Sequence, residues 1–241
     1  MRDGVFVADA HTHIFTRPSR LYGREVEYSA EALIESMDLY GVDFSLVIAR
    51  PTSQLDLDAL KQLHDETAQG IAGYAERLRA FCWGIPRLGN QGVAEVERCW
   101  DELGYIGLKL HPVHEQFLLD DPDSLTLIEA ADRRRVPVMV HTDSTVEGAE
   151  PWRLLFVAQD FPSTTFVMAH VGGNGSEVQN LSIVRLAAVV DNVVLDVSTT
   201  VTDPAATYLE PARILGPERV CYGSNSPIHP MAPNLLTMEL L

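Results

Sequence analysis

Val5-Phe6-Val7-Ala8-Asp9-Ala10-His11-Thr12-His13 is an apolar run that ends in two imidazoles, and its reading decides the fold. Residues i and i+2 of an extended strand share a face, so His11 and His13 stand side by side at the strand's end. Two neutral imidazoles converging from one strand suit a divalent transition metal such as zinc. Taken alone, His-x-His is equally well a polar strand terminus. The odds change because four later apolar runs also end in groups able to bind metal or handle protons.

Working outward, seven further apolar, β-branched runs read as strands: Phe44–Arg50, Ala80–Pro86, Tyr105–His111, Val136–Thr142, Thr164–His170, Val193–Ser198 and Val220–Asn225. Their near-continuous hydrophobicity is that of parallel strands covered on both faces. Amphipathic segments alternate with them: Ser29–Tyr40, Asp58–Arg77, Val93–Leu103, Ser124–Arg135, Pro151–Asp160, Glu177–Val190, Pro204–Leu215 and Pro233–Leu240. Ser29, Asp58 and Ser124 read as helix caps, and Pro151 and Pro204 as first-turn residues. Eight strands alternating with eight helices, with no linker or composition break, predict one (β/α)8 TIM-type barrel domain over residues 1–241. A doubly wound open sheet is the alternative, but no Gly-rich turn follows the first strand. About sixteen residues remain after Asn225, barely enough for a closing helix. The C-terminal end therefore reads as shortened, either truncated or completed by a partner.

The bulk properties exclude several classes. Hydrophobic residues make up 46% and charged residues 22%, ordinary for a globular protein with a sizeable core. Thirty-four carboxylates against 18 Lys plus Arg give a net charge of −16, which repels nucleic-acid phosphates and anionic membranes. Cys82, Cys99 and Cys221 are scattered, with Cys82 and Cys221 inside apolar runs, and read as reduced thiols. Met1-Arg2-Asp3-Gly4 leaves no room for a signal peptide, and no run reaches the length of a membrane span, so the expected compartment is the cytoplasm.

Active sites of such barrels gather at the C-terminal ends of the strands. Five of the eight histidines (His11, His13, His111, His141 and His170) fall there, with Arg50 ending strand two and Lys109 on strand four. Asp143 follows strand five, and Gly223-Ser224-Asn225-Ser226-Pro227 ends strand eight. This order of motifs resembles the amidohydrolase superfamily over essentially the whole chain, in particular its amidohydrolase 2 branch. That branch includes hydrolases, lactonases and decarboxylases related to aminocarboxymuconate semialdehyde decarboxylase. The resemblance implies His11, His13 and His141 as metal ligands. It makes His170 either a ligand of a second metal or a proton-transfer residue. Lys109 matches a position where some members carry a carboxylated lysine bridging two metals, while others use one metal.

Asn225 departs from the family pattern, which has Asp there as metal ligand and proton acceptor. An amide can offer its carbonyl oxygen, but it cannot take a proton near neutral pH. Three readings stay open: an engineered substitution, a natural variant using another base such as His170 or Asp143, or a barrel that has lost catalysis. The expected function is metal-dependent hydrolysis of a small carboxylate-bearing amide or lactone, with one zinc ion or two. The alternatives are a decarboxylase on the same scaffold and a silent metal- or ligand-binding barrel. Arg50 is the expected clamp for a substrate anion, against an inter-loop salt bridge. His111 and Asp143 are the expected substrate contacts, and His111 could equally only shape its loop.

Each bland reading has its own expectation. Lys109 would pair with Asp196 across the barrel mouth, and His170 would only cap the Gly172-Gly173 turn. Asp9 would orient an imidazole. His64 would lie on the surface of its helix, and Trp83, Trp100 and Trp152 would serve packing. The expected partner is a small-molecule substrate, with a homodimer expected by analogy with such barrels.

Overall fold

The computed structural model describes residues 4–21, 23–51, 53–173, 177–198, 208–233 and 235. Eight strands run parallel in chain order: β1 (Ala8–Ile14), β2 (Phe44–Ala49), β3 (Leu78–Trp83), β4 (Gly107–Leu110), β5 (Val138–His141), β6 (Phe166–Ala169), β7 (Val193–Asp196) and β8 (Val220–Cys221). The sheet closes because the chain after β8 returns to β1. Ala10 N–H donates to Tyr222 O at 2.8 Å, Asn225 N–H to His11 O at 2.7 Å and His13 N–H to Ser226 O at 2.7 Å. This is the TIM-type barrel that the alternation predicts, with helices between the strands.

The strands lack a polar face for a geometric reason. Alternate residues Ala80 and Cys82, Leu108 and Leu110, Val138 and Val140, Phe166 and Met168 pack outward into the main cluster beneath the helices. The intervening Ile48, Phe81, Trp83, Met139, Val167 and Ala169 form a separate interior cluster. Lys109 has the inward parity, as does His13, the register partner of the inward Ile48, so these polar groups at strand ends are aimed into the barrel mouth, while β1 is bulged between Asp9 and Thr12. Gly107 is inward too, where a Cβ would stand 2.5 Å from the Phe81 ring.

Among the described helices, α1 (Ala30–Tyr40) opens on Ser29 as expected, whose hydroxyl accepts Ala32 N–H. Two cap assignments need correction. α2 (Leu57–Ile71) is capped by Asp56, which accepts Ala59 N–H at 2.9 Å, and Asp58 sits inside the first turn. Between them lies α3 (Gly89–Glu102), and then α4 (Pro122–Arg134) starts on a proline whose fixed φ suits a first turn. Ser124 is therefore inside α4, donating its hydroxyl to Leu118 O at 2.9 Å. α5 (Pro151–Asp160) has the predicted bounds, and α6 (Glu177–Ala187) ends before Val190. Of the segment expected over 204–215, residues 208–215 are described and hold α7 (Glu210–Leu215); Pro204 and most of the expected closing helix lie outside the described residues. A short antiparallel hairpin, Ser19–Leu21 with Arg24–Val26, occupies the loop after β1. Trp152 lies at the surface rather than in the core, packed against the Phe156 ring with Arg153 over its own.

Candidate metal centre

A cavity of about 170 Å³ opens at the C-terminal ends of the strands. His11 and His13 of β1, Arg50 after β2, Lys109 of β4, His111 after it, His141 of β5, His170 after β6 and Asn225 after β8 line it, with Ile228. All but Ile228 are residues that the strand ends pick out. Arg50 also lines an adjoining groove of about 280 Å³. Among the described residues, no Asp or Glu lines the cavity of about 170 Å³.

The histidines come together in different ways. Strand parity aims His13 and His141 inward, and His11 lines the cavity beside them. His170 follows the inward-facing Ala169 and would point outward on a regular strand. It reaches the cavity through a left-handed backbone, with φ 71 at His170 and 49 at Val171. Asn225 has φ 58. Such conformations cost of order 1–3 kcal/mol each in non-glycine residues and concentrate at functional sites. The His11 ring lies 5.0 Å from that of His170, and the His111 and His141 rings stack at 3.9 Å.

Hydrogen bonding at one ring nitrogen determines what the other offers. His13 Nδ1 lies 3.0 Å from the Ile48 carbonyl, which only accepts, so His13 carries its proton there and turns a lone pair outward from Nε2. His11 Nδ1 lies 2.6 Å from Asp196 Oδ2 and likewise leaves Nε2 bare. His111 Nδ1 accepts the His114 N–H at 3.3 Å and caps the short turn Pro112–Glu115, so it both shapes the loop and lines the cavity. Burial holds His13 and His141 at about 3. It also lowers His11, His111 and His170 below their ordinary value. Neutral imidazoles are the form that binds metal.

Two features bear on whether these walls suit a cation. His13 Nε2 faces Asn225 Oδ1 at 2.8 Å. A bare imidazole nitrogen and a carbonyl oxygen are both acceptors, and such a pair is stable only with a positive centre between them or with the amide turned to donate. Lys109 Nζ is buried with no hydrogen-bond partner among the described residues, and burial brings its ammonium down to about 7, opposed by the charge of Asp196. His11, His13 and His141, with the Asn225 carbonyl, face one cavity with donors of the kind a divalent ion takes, and His11, His170 and Asp196 lie close enough together to hold one.

Other residues sit differently from their expected places. Asp196 does not pair with Lys109; its carboxylate takes His11 Nδ1–H and the Ser198 hydroxyl. Asp9 does not touch an imidazole ring. It accepts the backbone N–H groups of His11 and Ser224, each at 3.0 Å, and burial lifts its carboxyl to about 7. Asp143 is not among the lining residues; its Oδ1 accepts the N–H and hydroxyl of Thr145 at 2.8 and 2.7 Å. His64 is buried rather than exposed, 2.7 Å from Glu95 Oε1. The sequence reasoning also passed over Ser198, which bonds His170 Nδ1 at 2.9 Å. Its signal was present in Asp196-x-Ser198, an inward-facing pair at the end of β7.

Residues 8–237 match the family model Amidohydro_2, described as amidohydrolase. The chain therefore belongs to the amidohydrolase family. Its fold is shared with 2,6-dihydroxybenzoate decarboxylase from Rhizobium (TM-score 0.77, 12% identity, covering 97% of this chain and 92% of that one). It is shared also with 5-carboxyvanillate decarboxylase from Novosphingobium aromaticivorans, complexed with manganese and 4-hydroxy-3-methoxy-5-nitrobenzoic acid (TM-score 0.78, 14% identity, 100% and 91% covered). A third is dihydroxybenzoic acid decarboxylase from Polaromonas, with bound manganese and an inhibitor, 2-nitroresorcinol (TM-score 0.70, 13% identity, 97% and 90% covered). At these identities the likeness establishes the fold. Among the described residues no helix is long and apolar enough to cross a membrane.

Proposed function

We propose that the chain is a metal-dependent decarboxylase of a small aromatic acid, in preference to the hydrolase that its family membership first suggests. The carrying observation is that no carboxylate lines the cavity among the described residues. Hydrolysis needs a base of near-neutral pKa to activate water. Asn225 is an amide, burial makes His13 and His141 poor bases with values of about 3, and Lys109, the lining group nearest neutrality at about 7, suits the proton donor that decarboxylation requires. Decarboxylation needs no water activation: it needs an anion held in place, a sink for electrons and a proton for the carbon left behind. The similar folds of decarboxylases acting on hydroxylated benzoates support this choice of substrate class.

A divalent cation on His11, His13, His141 and Asn225 would bind oxygen atoms of the substrate and draw electron density from its ring; manganese and zinc both suit such donors. Arg50 at the cavity's edge supplies a planar fork for the anion. Lys109 has a value of about 7, so it can release a proton at neutral pH. The bond from ring to carboxyl breaks, carbon dioxide leaves, and the electron pair on the ring carbon takes the Nζ proton; solvent then reprotonates Lys109. The volume of about 170 Å³ lies below the roughly 300–1,000 Å³ of pockets for larger ligands and suits a single-ring acid.

The test uses carboxyl-¹³C-labelled hydroxybenzoates with protein reconstituted with Mn²⁺ or Zn²⁺. Labelled carbon dioxide that disappears in Lys109→Met, with metal retained, is the expected result. Turnover of lactones or amides with ¹⁸O incorporated from water, and no labelled carbon dioxide, would overturn the reading.

A further inference from the structure

Asp196 and Ser198 stand two residues apart on the inward side at the end of β7, fully buried beneath the cavity. The direction of each hydrogen bond between them and the histidines is set by chemistry. As a carboxylate Asp196 only accepts, so His11 Nδ1 donates to Oδ2 at 2.6 Å and the Ser198 hydroxyl donates to the same oxygen at 2.7 Å. A hydroxyl has one proton to give. Having given it to Asp196, Ser198 Oγ accepts from His170 Nδ1 at 2.9 Å, with the Ser198 carbonyl a more distant acceptor at 3.3 Å. The Ser198 N–H donates to Oδ1 at 2.9 Å and completes the carboxylate's surroundings.

We propose that Asp196 and Ser198 are positioning residues that lock His11 and His170 as Nδ1–H tautomers, so that both rings present a bare Nε2 to the cavity. A neutral imidazole in water favours the opposite tautomer, which would turn a proton toward the cavity and block a cation there. One buried carboxylate thus orients, directly and through Ser198, rings from distant parts of the chain, β1 and the turn after β6. The backbone after β8 closes over the pair: a Cβ on Gly223 would overlap Asp196 Oδ1 and stand 3.0 Å from His11 Cβ. Direct metal ligation by Asp196 fits less well, because Oδ2 already receives two donors and Oδ1 a third. The tautomer assignment stands on this chain's own hydrogen bonds; only its effect on metal affinity rests on the metal-centre reading.

The test is ring-nitrogen NMR of the metal-free, ¹⁵N-labelled full chain, beside Asp196→Asn and Ser198→Ala. In the unmodified protein both His11 and His170 should show a protonated Nδ1 and a bare Nε2. Ser198→Ala should release His170 alone, whereas Asp196→Asn should disturb both rings. Chelator competition with Mn²⁺ should show affinity about 10- to 100-fold weaker in Asp196→Asn, the usual effect of losing a partner that orients a ligand. A protonated Nε2 on either ring of the unmodified protein would overturn the proposal, as would unchanged tautomers in Ser198→Ala. These readings decide the matter even where Asp196→Asn fails to fold. The expected tautomers in a chain that binds neither Mn²⁺ nor Zn²⁺ would uphold the positioning role and count against the metal reading instead.

Discussion

Two buried histidine clusters occupy this barrel, and they settle their polar groups in opposite ways. Behind β3, His64 of α2 gives Nδ1–H to Glu95 of α3 at 2.7 Å and takes the Trp83 N–H on Nε2 at 3.1 Å. Arg98 closes on Glu95 at 2.8 and 2.9 Å, and Tyr105 donates to His64 O at 2.9 Å. Both nitrogens of His64 are used, and they tie two helices to a strand. In the mouth, His11, His13 and His170 each secure one nitrogen and leave the other facing a cavity, a carbonyl or another ring. His64, Glu95 and Cys99 are close enough to hold an ion, as are His11, His170 and Asp196, so proximity does not separate the two clusters. Hydrogen-bond satisfaction does: a satisfied cluster holds the fold, and an unsatisfied one awaits a ligand.

The largest expected effect is acid lability of the metal-free chain. His11, His13, His111, His141 and His170 have folded values depressed below 6.5, so the unfolded chain takes protons first. Their contribution is complete above pH 6.5 and is lost as pH falls toward about 3, where His13 and His141 protonate in the folded state. Each ring contributes a slope of up to about 1.4 kcal/mol per pH unit. Urea denaturation at pH 7, 6 and 5 should show steep destabilisation that added Mn²⁺ reduces; a flat profile would break the contrast between the clusters.

Next in size, His64→Ala should cost about 2–4 kcal/mol by leaving the buried Glu95 short of a partner, with metal content unchanged. Equilibrium unfolding beside elemental analysis measures both. The smallest effect belongs to Asn225→Asp. A carboxylate facing His13 Nε2 should bind a divalent cation more tightly by about tenfold, because ligand charge raises affinity for hard cations. Competition against a chelator reads this out, and weaker binding would argue that the Asn225 amide donates to His13.

The barrel was legible because parallel strands covered on both faces leave unbroken apolar runs, and the same runs carried the site at their ends. Lys109 stood out as a charge within such a run. His170 was harder: its strand end was visible, but the left-handed turn that swings it inward was not. Asp56 and Asp121 were missed as the residues opening α2 and α4 because Asp58 and Ser124, inside the first turns, look like equally good caps. His64 could have been placed correctly. Leu60, Leu63, His64 and Thr67 repeat at the spacing of one buried helix stripe, which put this histidine on the core side. Its partner Glu95 lies 31 residues away, beyond the reach of local pattern.

The most direct test of the account is metal analysis of three proteins after reconstitution with Mn²⁺: the unmodified chain, His64→Ala, and the His11→Ala/His13→Ala double variant. About one equivalent in the first two and almost none in the third is the predicted result, because one cation centred on the β1 histidines needs no help from the cluster behind β3. Metal kept by the double variant and lost from His64→Ala would contradict it, placing the ion on His64, Glu95 and Cys99 and leaving the mouth without a metal centre.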